Sequence, residues 1–177
     1  MSLFSKKDDA IDLLKEDHKE VDQMFDAFED CKDAGDTTGK ARISGKICDA
    51  LTIHAMVEEE IFYPAVEVGV PEASEMLAEA KVEHEGLKRL IADIEQANPS
   101  SQEYDADVKV LGEQVKHHVK EEERDLFPKV KKSDLDLEAL GDRIAARKRE
   151  LGASPTAFKR KRDTRPIIDI GAPGPNG

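Results

Sequence analysis

Four of the five histidines in this chain lie in segments where apolar residues recur every three or four positions. Apolar residues with this period form an apolar stripe along one face of an α-helix. Each stripe carries one histidine, and the four are His18, His54, His84 and His118. The sequence therefore predicts four amphipathic helices that each turn one imidazole towards a shared core.

Proline and capping residues predict where these helices begin and end. Pro71 opens the third helix, since proline is favoured in a first turn. Pro64 limits or kinks the second helix, and the fourth helix meets Pro128. Ser133 is expected to cap a fifth helix that ends near Leu151. Because the connections are short, we predict an all-α fold: an up-down-up-down four-helix bundle with an additional C-terminal helix.

Two glutamates share the helix faces of two histidines. Glu58 follows His54 by four residues, and Glu122 follows His118 by four residues. Side chains at this spacing lie one above the other on a helix. Four imidazoles and two carboxylates in an apolar core are costly unless something satisfies them. A pair of metal ions would do so, and we predict a metal site built from these six residues.

A histidine with an acid four residues later is weak evidence by itself, because 39 of the 177 residues are acidic. His117 and Glu121 form such a pair by chance. A single histidine on an apolar face is also more often an ordinary core residue than a ligand. The argument depends instead on four histidines that are all in phase with their apolar stripes.

An internal repeat supports the same site. The segment HAMVEEEIFYP, which begins at His54, aligns with HVKEEERDLFP, which begins at His118. The alignment pairs Tyr63-Pro64 with Phe127-Pro128 and selects His118 over its neighbour His117. We therefore expect two similar helical hairpins, each of which supplies two histidines and one glutamate.

This pattern of histidines, His-x-x-x-Glu pairs and aromatic-proline pairs resembles the hemerythrin HHE cation-binding domain over about residues 8 to 130. The resemblance implies a non-haem diiron site with bridging carboxylates, and O2, NO or peroxide as small ligands. Manganese or zinc stays open, since imidazole-carboxylate sites accept several metals. The implied metal ligands are His18, His54, Glu58, His84, His118 and Glu122.

The sequence departs from the oxygen-carrying members at Lys88, where they have a fifth histidine. It also has His-x-x-x-Glu at the last pair, where they have a longer gap followed by an aspartate. A missing imidazole leaves a metal position open, and oxidants react at such positions on Fe(II). We therefore expect oxidant handling, such as slow peroxide decomposition, rather than plain oxygen carriage. Lys88 either holds a bound anion or carries its amine out to solvent.

Other functional classes fit less well. Ferritin-like sites use Glu-x-x-His pairs, and no histidine of this chain has a glutamate three residues before it. A zinc or manganese hydrolase would need a nucleophile or general base, and no such motif accompanies the cluster. An iron- or oxygen-sensing module without catalytic turnover stays open as the alternative.

The formal net charge of −12 is unevenly distributed. We predict a bundle domain over residues 1–151 and a disordered tail, rich in basic residues, proline and glycine, over 152–177. The acidic body argues against nucleic acid as a partner. A protein partner for the tail and the oligomeric state both stay open. The basic residues of the tail are Lys159, Arg160, Lys161, Arg162 and Arg165.

The expected compartment is the cytoplasm. No apolar run approaches the length of a membrane span, and the first residues do not resemble a secretory signal. Cys31 and Cys48 have no CxxC spacing. In such a chain we expect them to be reduced thiols.

Overall fold

The computed structural model describes residues 8–153, and all the regular structure in this range is helical. This confirms the all-α prediction for the described residues. Most of the predicted tail lies outside them. The helices are α1 (Ala10–Asp33), α2 (Thr37–Val57), α3 (Tyr63–Gly69), α4 (Ser74–Gln96), α5 (Gln102–Glu121), α6 (Phe127–Val130) and α7 (Leu137–Ala153), with π-helical turns at Glu58–Phe62 and Glu122–Leu126 and a 3-10 turn at Pro71–Ala73.

The first long helix begins at a capping box. The carboxylate of Asp9 accepts hydrogen bonds from the backbone N–H groups of Ile11 and Asp12, at 2.9 and 3.0 Å. These bonds satisfy N–H groups that have no partner within the helix. Ser101 caps α5 in the same way, through a 3.1 Å bond from the N–H of Tyr104.

Two predicted helix starts are displaced. Pro71 lies in the 3-10 turn, and the α-helix begins only at Ser74. The fifth helix is capped by Asp136, not Ser133, since the Asp136 carboxylate accepts from the N–H of Ala139 at 2.9 Å. The Ser133 hydroxyl instead donates to the carbonyl of Val130 in the preceding turn.

Helical backbone continues through Pro64 and Pro128. The helical path continues beyond Pro64 as far as Gly69, and beyond Pro128 as far as Val130. Proline has no N–H, and its ring clashes with the carbonyl four residues before it. In both places a wider π-helical turn precedes the proline and accommodates this clash.

Consecutive long helices pack together as two hairpins, α1 with α2 and α4 with α5. The hairpins meet through contacts of α2 with α4 and of α1 with α5. The C-terminal helix α7 packs on α1, α2 and the first π-helical turn. The first hairpin is therefore covered by an additional helix.

Two apolar clusters fill the core, one on each side of the histidines. One contains Phe62, Phe127 and residues of α7 such as Ile144, and the other contains Phe28 and Leu111. The histidines interrupt the apolar stripes where one cluster gives way to the other. Polar side chains therefore form a layer across the middle of the core.

Both cysteines are free thiols, with Cys48 buried and Cys31 partly exposed. Within residues 8–153, no helix has the length and hydropathy needed to cross a bilayer.

Candidate metal centre

The six residues singled out from the sequence form this polar layer, which we call the histidine layer. All six are buried, and the least buried of them is 8% exposed. His117, the neighbour of His118, has a side chain that is 62% exposed. The residues of the layer are His18, His54, Glu58, His84, His118 and Glu122.

The π-helical turns position the two glutamates. Each turn begins at one of them: the N–H of Tyr63 bonds to the carbonyl of Glu58, and the N–H of Phe127 bonds to that of Glu122. π-Helical turns of this kind occur frequently at functional sites. Here the same local distortion occurs in both halves of the repeat, directly at the carboxylate.

The histidines approach one another in pairs through their Nε2 atoms. His18 and His54 are 3.2 Å apart, and His84 and His118 are 3.1 Å apart. Each pair comes from one hairpin. The two Nε2 atoms of a pair therefore face the same small volume.

Each glutamate lies between the two histidine pairs. Oxygens of Glu58 lie 3.2 Å from His54 Nε2 and 3.3 Å from His84 Nε2. An oxygen of Glu122 lies 3.3 Å from His18 Nε2 and 3.6 Å from His118 Nε2. Both carboxylates thus contact histidines of both hairpins.

Every histidine of the layer also places its Nδ1 against a carboxylate, and sequence reasoning missed these four acids. Two of them directly precede a layer histidine, and two directly follow a layer glutamate. The repeat contained this signal, because the acids recur at matching positions in both halves. The pairs are His18 with Glu123 at 2.9 Å, His54 with Asp17 at 3.2 Å, His84 with Glu59 at 2.9 Å, and His118 with Glu83 at 2.7 Å.

These carboxylates perturb the protonation of the layer. Burial disfavours a charged His54, but Glu58 and Asp17 outweigh it and raise the pKa of His54 to about 10. Burial likewise opposes charge on His84, but Glu58 and Glu59 outweigh it and raise the pKa of His84 to about 9. Burial would raise the pKa of Glu58, but His54 and His84 hold it well below its ordinary value.

A tyrosine hydroxyl also reaches the layer. Tyr63 is fully buried and donates to Glu122 at 2.9 Å and to Glu58 at 3.3 Å, with His84 Nε2 at 3.4 Å. Burial raises the pKa of Tyr63 well above its ordinary value, and the two carboxylates raise it further. Tyr63 therefore supplies the core with a polar hydroxyl as well as an aromatic ring, and the hydroxyl contacts both glutamates.

Lys88, which occupies the position of the fifth histidine of the oxygen carriers, does not reach the layer. Its amine lies 2.8 Å from oxygens of Glu59 and Glu85. It therefore neither extends freely into solvent nor faces the layer as an anion site. It pairs instead with the carboxylate that accepts from His84 Nδ1.

The residues present fit a metal ion. When each Nδ1 donates to a carboxylate, a neutral imidazole turns the lone pair of Nε2 towards the interior. Glu58 Oε1 and Glu122 Oε2 are buried and accept no hydrogen bond. Such oxygens are costly in a core unless positive charge satisfies them, either protons on the facing imidazoles or a bound metal ion. The layer is therefore a His/Glu cluster able to bind metal.

Comparisons with known proteins match most of this chain to one domain family. The hemerythrin HHE cation binding domain matches residues 9–130. A DNA nickase from Nostoc is 31% identical over 120 residues, which are 68% of this chain and 33% of the nickase. An uncharacterised protein of Mycobacterium tuberculosis is 30% identical over 108 residues, which are 59% of this chain and 65% of that protein. The chain thus spans about one third of the nickase and just under two thirds of the mycobacterial protein.

A solved structure shows the same fold. A hemerythrin HHE cation binding domain-containing protein from Mycobacterium kansasii superposes with a TM-score of 0.69 at 23% identity. The superposition covers 89% of this chain and 95% of that protein. With the match over most of its length and a buried His/Glu cluster at the expected positions, this chain belongs to the hemerythrin HHE cation-binding domain family.

Proposed function

We propose that this protein is a non-haem diiron protein that binds O2, or the related small ligands NO and peroxide, in the response to oxygen or oxidative stress. One observation carries the proposal. Four inward-facing imidazole nitrogens and two buried carboxylates with unsatisfied oxygens converge in one layer. The proposed ligands are His18, His54, Glu58, His84, His118 and Glu122.

Two ions are proposed because the layer contains two histidine pairs with both glutamates between them. One group of converging ligand atoms comes from His18, His54, Glu58 and Glu122, and the other comes from Glu58, His84 and His118. Glu58 contributes to both groups. Iron is proposed from the family resemblance, and manganese and zinc are the alternatives for this donor set.

The proposed architecture around the site is an up-down-up-down bundle of α1, α2, α4 and α5. Its support is the packing of consecutive helices across short connections, together with the contacts between the two hairpins. In such a bundle each hairpin presents its ligands from facing helices to one interior volume.

When bound, iron would supply the binding and redox chemistry for O2, NO or peroxide. The chain's own residues would prepare the site for it. The four Nδ1-bound carboxylates orient the imidazoles, and the two apolar clusters limit access of water. The Tyr63 hydroxyl holds a proton beside Glu122 and Glu58, where it is available as a hydrogen-bond donor within the layer.

Of the possible activities, reaction with peroxide is proposed in preference to reversible O2 transport. The position of a fifth histidine is Lys88, and its amine is held by Glu59 and Glu85. The side chain at position 88 therefore supplies no imidazole to the proposed metal centre. Peroxide turnover faster than that of free iron is expected. Turnover no faster than free iron, with a long-lived oxygenated adduct, would favour the carrier.

The decisive experiment is metal analysis of anaerobically purified protein, with an optical spectrum before and after O2. Two irons per chain and new near-ultraviolet and visible charge-transfer bands are expected. One zinc per chain and an unchanged spectrum would reject the diiron proposal.

The adjacent histidines provide a matched control for the ligand assignment. His118→Gln removes a proposed ligand, and the iron content should fall. His117→Gln makes the same chemical change one residue away, on an exposed side chain, and should retain two irons per chain at equilibrium. Equal iron contents in the two variants would contradict the assignment.

A sensor is the second candidate, and one contact favours it. Lys148 of α7 pairs with Asp17, whose other oxygen lies 3.2 Å from His54 Nδ1. Changes at His54 could therefore reach α7 through one carboxylate. Altered hydrogen exchange in α7 on metal loading would support the sensor, whereas identical exchange with and without metal would argue against it.

The remaining proposals concern partners and compartment. The acidic charge of the chain argues against binding to nucleic acid, although the Nostoc relative is a DNA nickase. Measurable binding of duplex DNA at physiological salt would reject this. A cytoplasmic location and a basic tail after the bundle also stay predictions.

A further inference from the structure

The two halves of the repeat differ beside the histidine layer. In the first half, apolar side chains next to the layer belong to the cluster that packs with α7. When the layer histidines are aligned, three of the matching positions of the second half are acidic. The matched pairs are Leu13 with Glu79, Val57 with Glu121, and Ile61 with Asp125. Because the first half folds with apolar residues at these positions, the fold does not require the acidic residues.

A cavity of about 90 Å³ lies at these acidic positions and extends to the histidine layer. Asp125 is neutralised by Arg124, whose Nε lies 2.9 Å from it. Glu122 lines the inner end of the cavity, where one of its oxygens accepts from Tyr63 and the other is buried and accepts no hydrogen bond. The polar residues of the cavity wall are Glu79, Glu83, His118, Glu121, Glu122 and Asp125.

A histidine joins two of these acids outside the layer. His117 Nε2 lies 3.5 Å from an oxygen of Glu83 and 3.3 Å from an oxygen of Glu121. One ligand atom from each residue lies within 4.8 Å of the others. We call these three residues the outer cluster. Its histidine is exposed to solvent, so an ion can reach the cluster from outside.

Glu83 connects the outer cluster to the layer. One of its oxygens contacts His117, and the other lies 2.7 Å from Nδ1 of His118. The outer cluster therefore lies one carboxylate away from a proposed ligand of the centre. The matching residue of the first half is Asp17, which pairs with Lys148 of α7 and has no such outer histidine, since Ile53 matches His117.

We propose that the outer cluster and the acid-lined cavity form the route by which a divalent metal ion reaches the buried centre. This inference rests on the proposed metal centre. Carboxylates with one imidazole suit a first-row divalent ion that retains part of its water. The cavity is large enough for several water molecules. Walls of one charge sign raise the local concentration of the opposite ion.

A second cavity on the described part of the chain also reaches the layer, but its charge is unfavourable for a cation. It has a volume of about 750 Å³, lies between α1 and α5, and touches His18. Its lining also contains two acids, since Lys15 pairs with Glu123 and Lys116 pairs with Asp22. The cationic side chains outnumber these two acids, so the cavity with the acidic lining is the favoured route for a cation. The cationic side chains of the second cavity are Lys15, Lys19, Lys116, Lys120 and Arg124.

The test is the rate of metal uptake by the metal-stripped, full-length chain. Fe(II) is added under anaerobic conditions, and protein-bound iron is measured over time and at equilibrium. The variant His117→Gln/Glu121→Gln removes two outer-cluster ligands without touching the layer. The control is Glu113→Gln, which makes the same carboxylate-to-amide change on the exposed face of α5.

The double variant should take up iron about tenfold more slowly, at the lower end of the effect of electrostatic focusing, and should reach the wild-type content. The control should match the wild-type rate. High salt should slow iron uptake by the wild type towards the rate of the double variant.

Equal uptake rates in all three proteins would overturn the proposed route. A lower final content in the double variant would also overturn it, because the cluster would then belong to the centre itself. A wild-type chain that binds no metal would instead reject the proposed function, which the equilibrium content measures separately.

Discussion

Each histidine of the buried layer has polar neighbours at both ring nitrogens. Nε2 faces the interior, and Nδ1 faces one of four carboxylates contributed by a neighbouring helix or turn. Such a carboxylate fixes the orientation of the ring and selects the nitrogen that carries the proton. The arrangement at each histidine therefore depends on an acid that lies outside the proposed ligand set.

The supporting role of these acids predicts the effect of Glu59→Gln. Glu59 accepts from His84 Nδ1 at 2.9 Å and also pairs with Lys88. Loss of its charge should weaken metal affinity by about 10- to 100-fold, measured by competition with a chelator. Glu85→Gln is the matched control, since Glu85 pairs with the same lysine through an exposed carboxylate. Equal affinities in the two variants would contradict the role of Glu59.

The hydroxyl of Tyr63 predicts a second effect at this scale. Tyr63→Phe leaves the buried Glu122 carboxylate without its 2.9 Å donor. The metal-free protein should lose about 1–3 kcal/mol of unfolding free energy, as expected for a buried charged acceptor. Urea denaturation measures this loss.

Tyr104→Phe is the control for that measurement. Tyr104 is also buried, but its hydroxyl pairs with the neutral Ser44 in the other apolar cluster. A loss of about 1 kcal/mol or less is expected. A larger loss for Tyr104→Phe than for Tyr63→Phe would show that the contact with the glutamates contributes little.

At the scale of helices, α7 distinguishes the two hairpins. It packs on α1, α2 and the first π-helical turn, where it buries Leu140 and Ile144. Its position depends on a close approach at Gly141. A Cβ at this residue would lie 3.0 Å from backbone atoms of Asp9 and Ala10.

Gly141→Ala should therefore push α7 away from the start of α1. Because backbone atoms cannot move aside easily, a loss of about 1–3 kcal/mol is expected, measured as a lower urea midpoint. Gly152→Ala is the control in the same helix, where a Cβ would meet nothing within 4 Å. It should be neutral or stabilising by up to about 1 kcal/mol. Equal destabilisation of both variants would contradict the close approach.

At the scale of the whole molecule, metal binding and protonation are coupled. In the metal-free protein the pKa values of His54 and His84 are raised to about 10 and about 9, so both are protonated at pH 7.5. A metal ligand must be neutral imidazole, so binding at this pH should release about two protons. Affinity should therefore rise with pH up to about 10, where His54 has also lost its proton. Calorimetry in buffers of different ionisation enthalpy measures the released protons, and a binding heat independent of the buffer would contradict the prediction.

The same raised pKa values predict how the stability of the metal-free protein depends on pH. A histidine whose folded pKa is raised contributes stability that is fully present below its unfolded pKa, ordinarily 6.5, and is lost as pH rises through the folded value. The unfolding free energy should therefore fall between pH 6.5 and 10. The lowered pKa of Glu58 has the opposite sign, and its contribution is lost as pH falls below its ordinary value of 4.5. Urea midpoints of the metal-free protein, measured from below pH 4.5 up to pH 10, report both losses.

Much of the fold followed from local pattern. The apolar period of three to four residues specifies a helix whether or not its partners are known, and the long helices lie where the stripes predicted them. The predicted starts of two helices were wrong. Pro71 opens a 3-10 turn instead of α4, and Asp136 caps α7 in place of Ser133. A residue suited to a helix start occupies one only where the following turn is α-helical. Helical backbone continues beyond both Pro64 and Pro128, and the π-helical turns before these prolines were not foreseen.

The sequence by itself determined that six polar residues share the apolar faces of four helices, since facing direction along a helix depends only on spacing. Only the tertiary structure decided which side chains meet across helices. It brought Glu59 and Glu83 to the outer nitrogens of histidines on other helices, and the Tyr63 hydroxyl to both glutamates. It also joined His117 and Glu121, a pair that looked accidental, to Glu83 of α4. The physical reason is that these contacts depend on the axial offset and rotation of packed helices, which no single helix encodes.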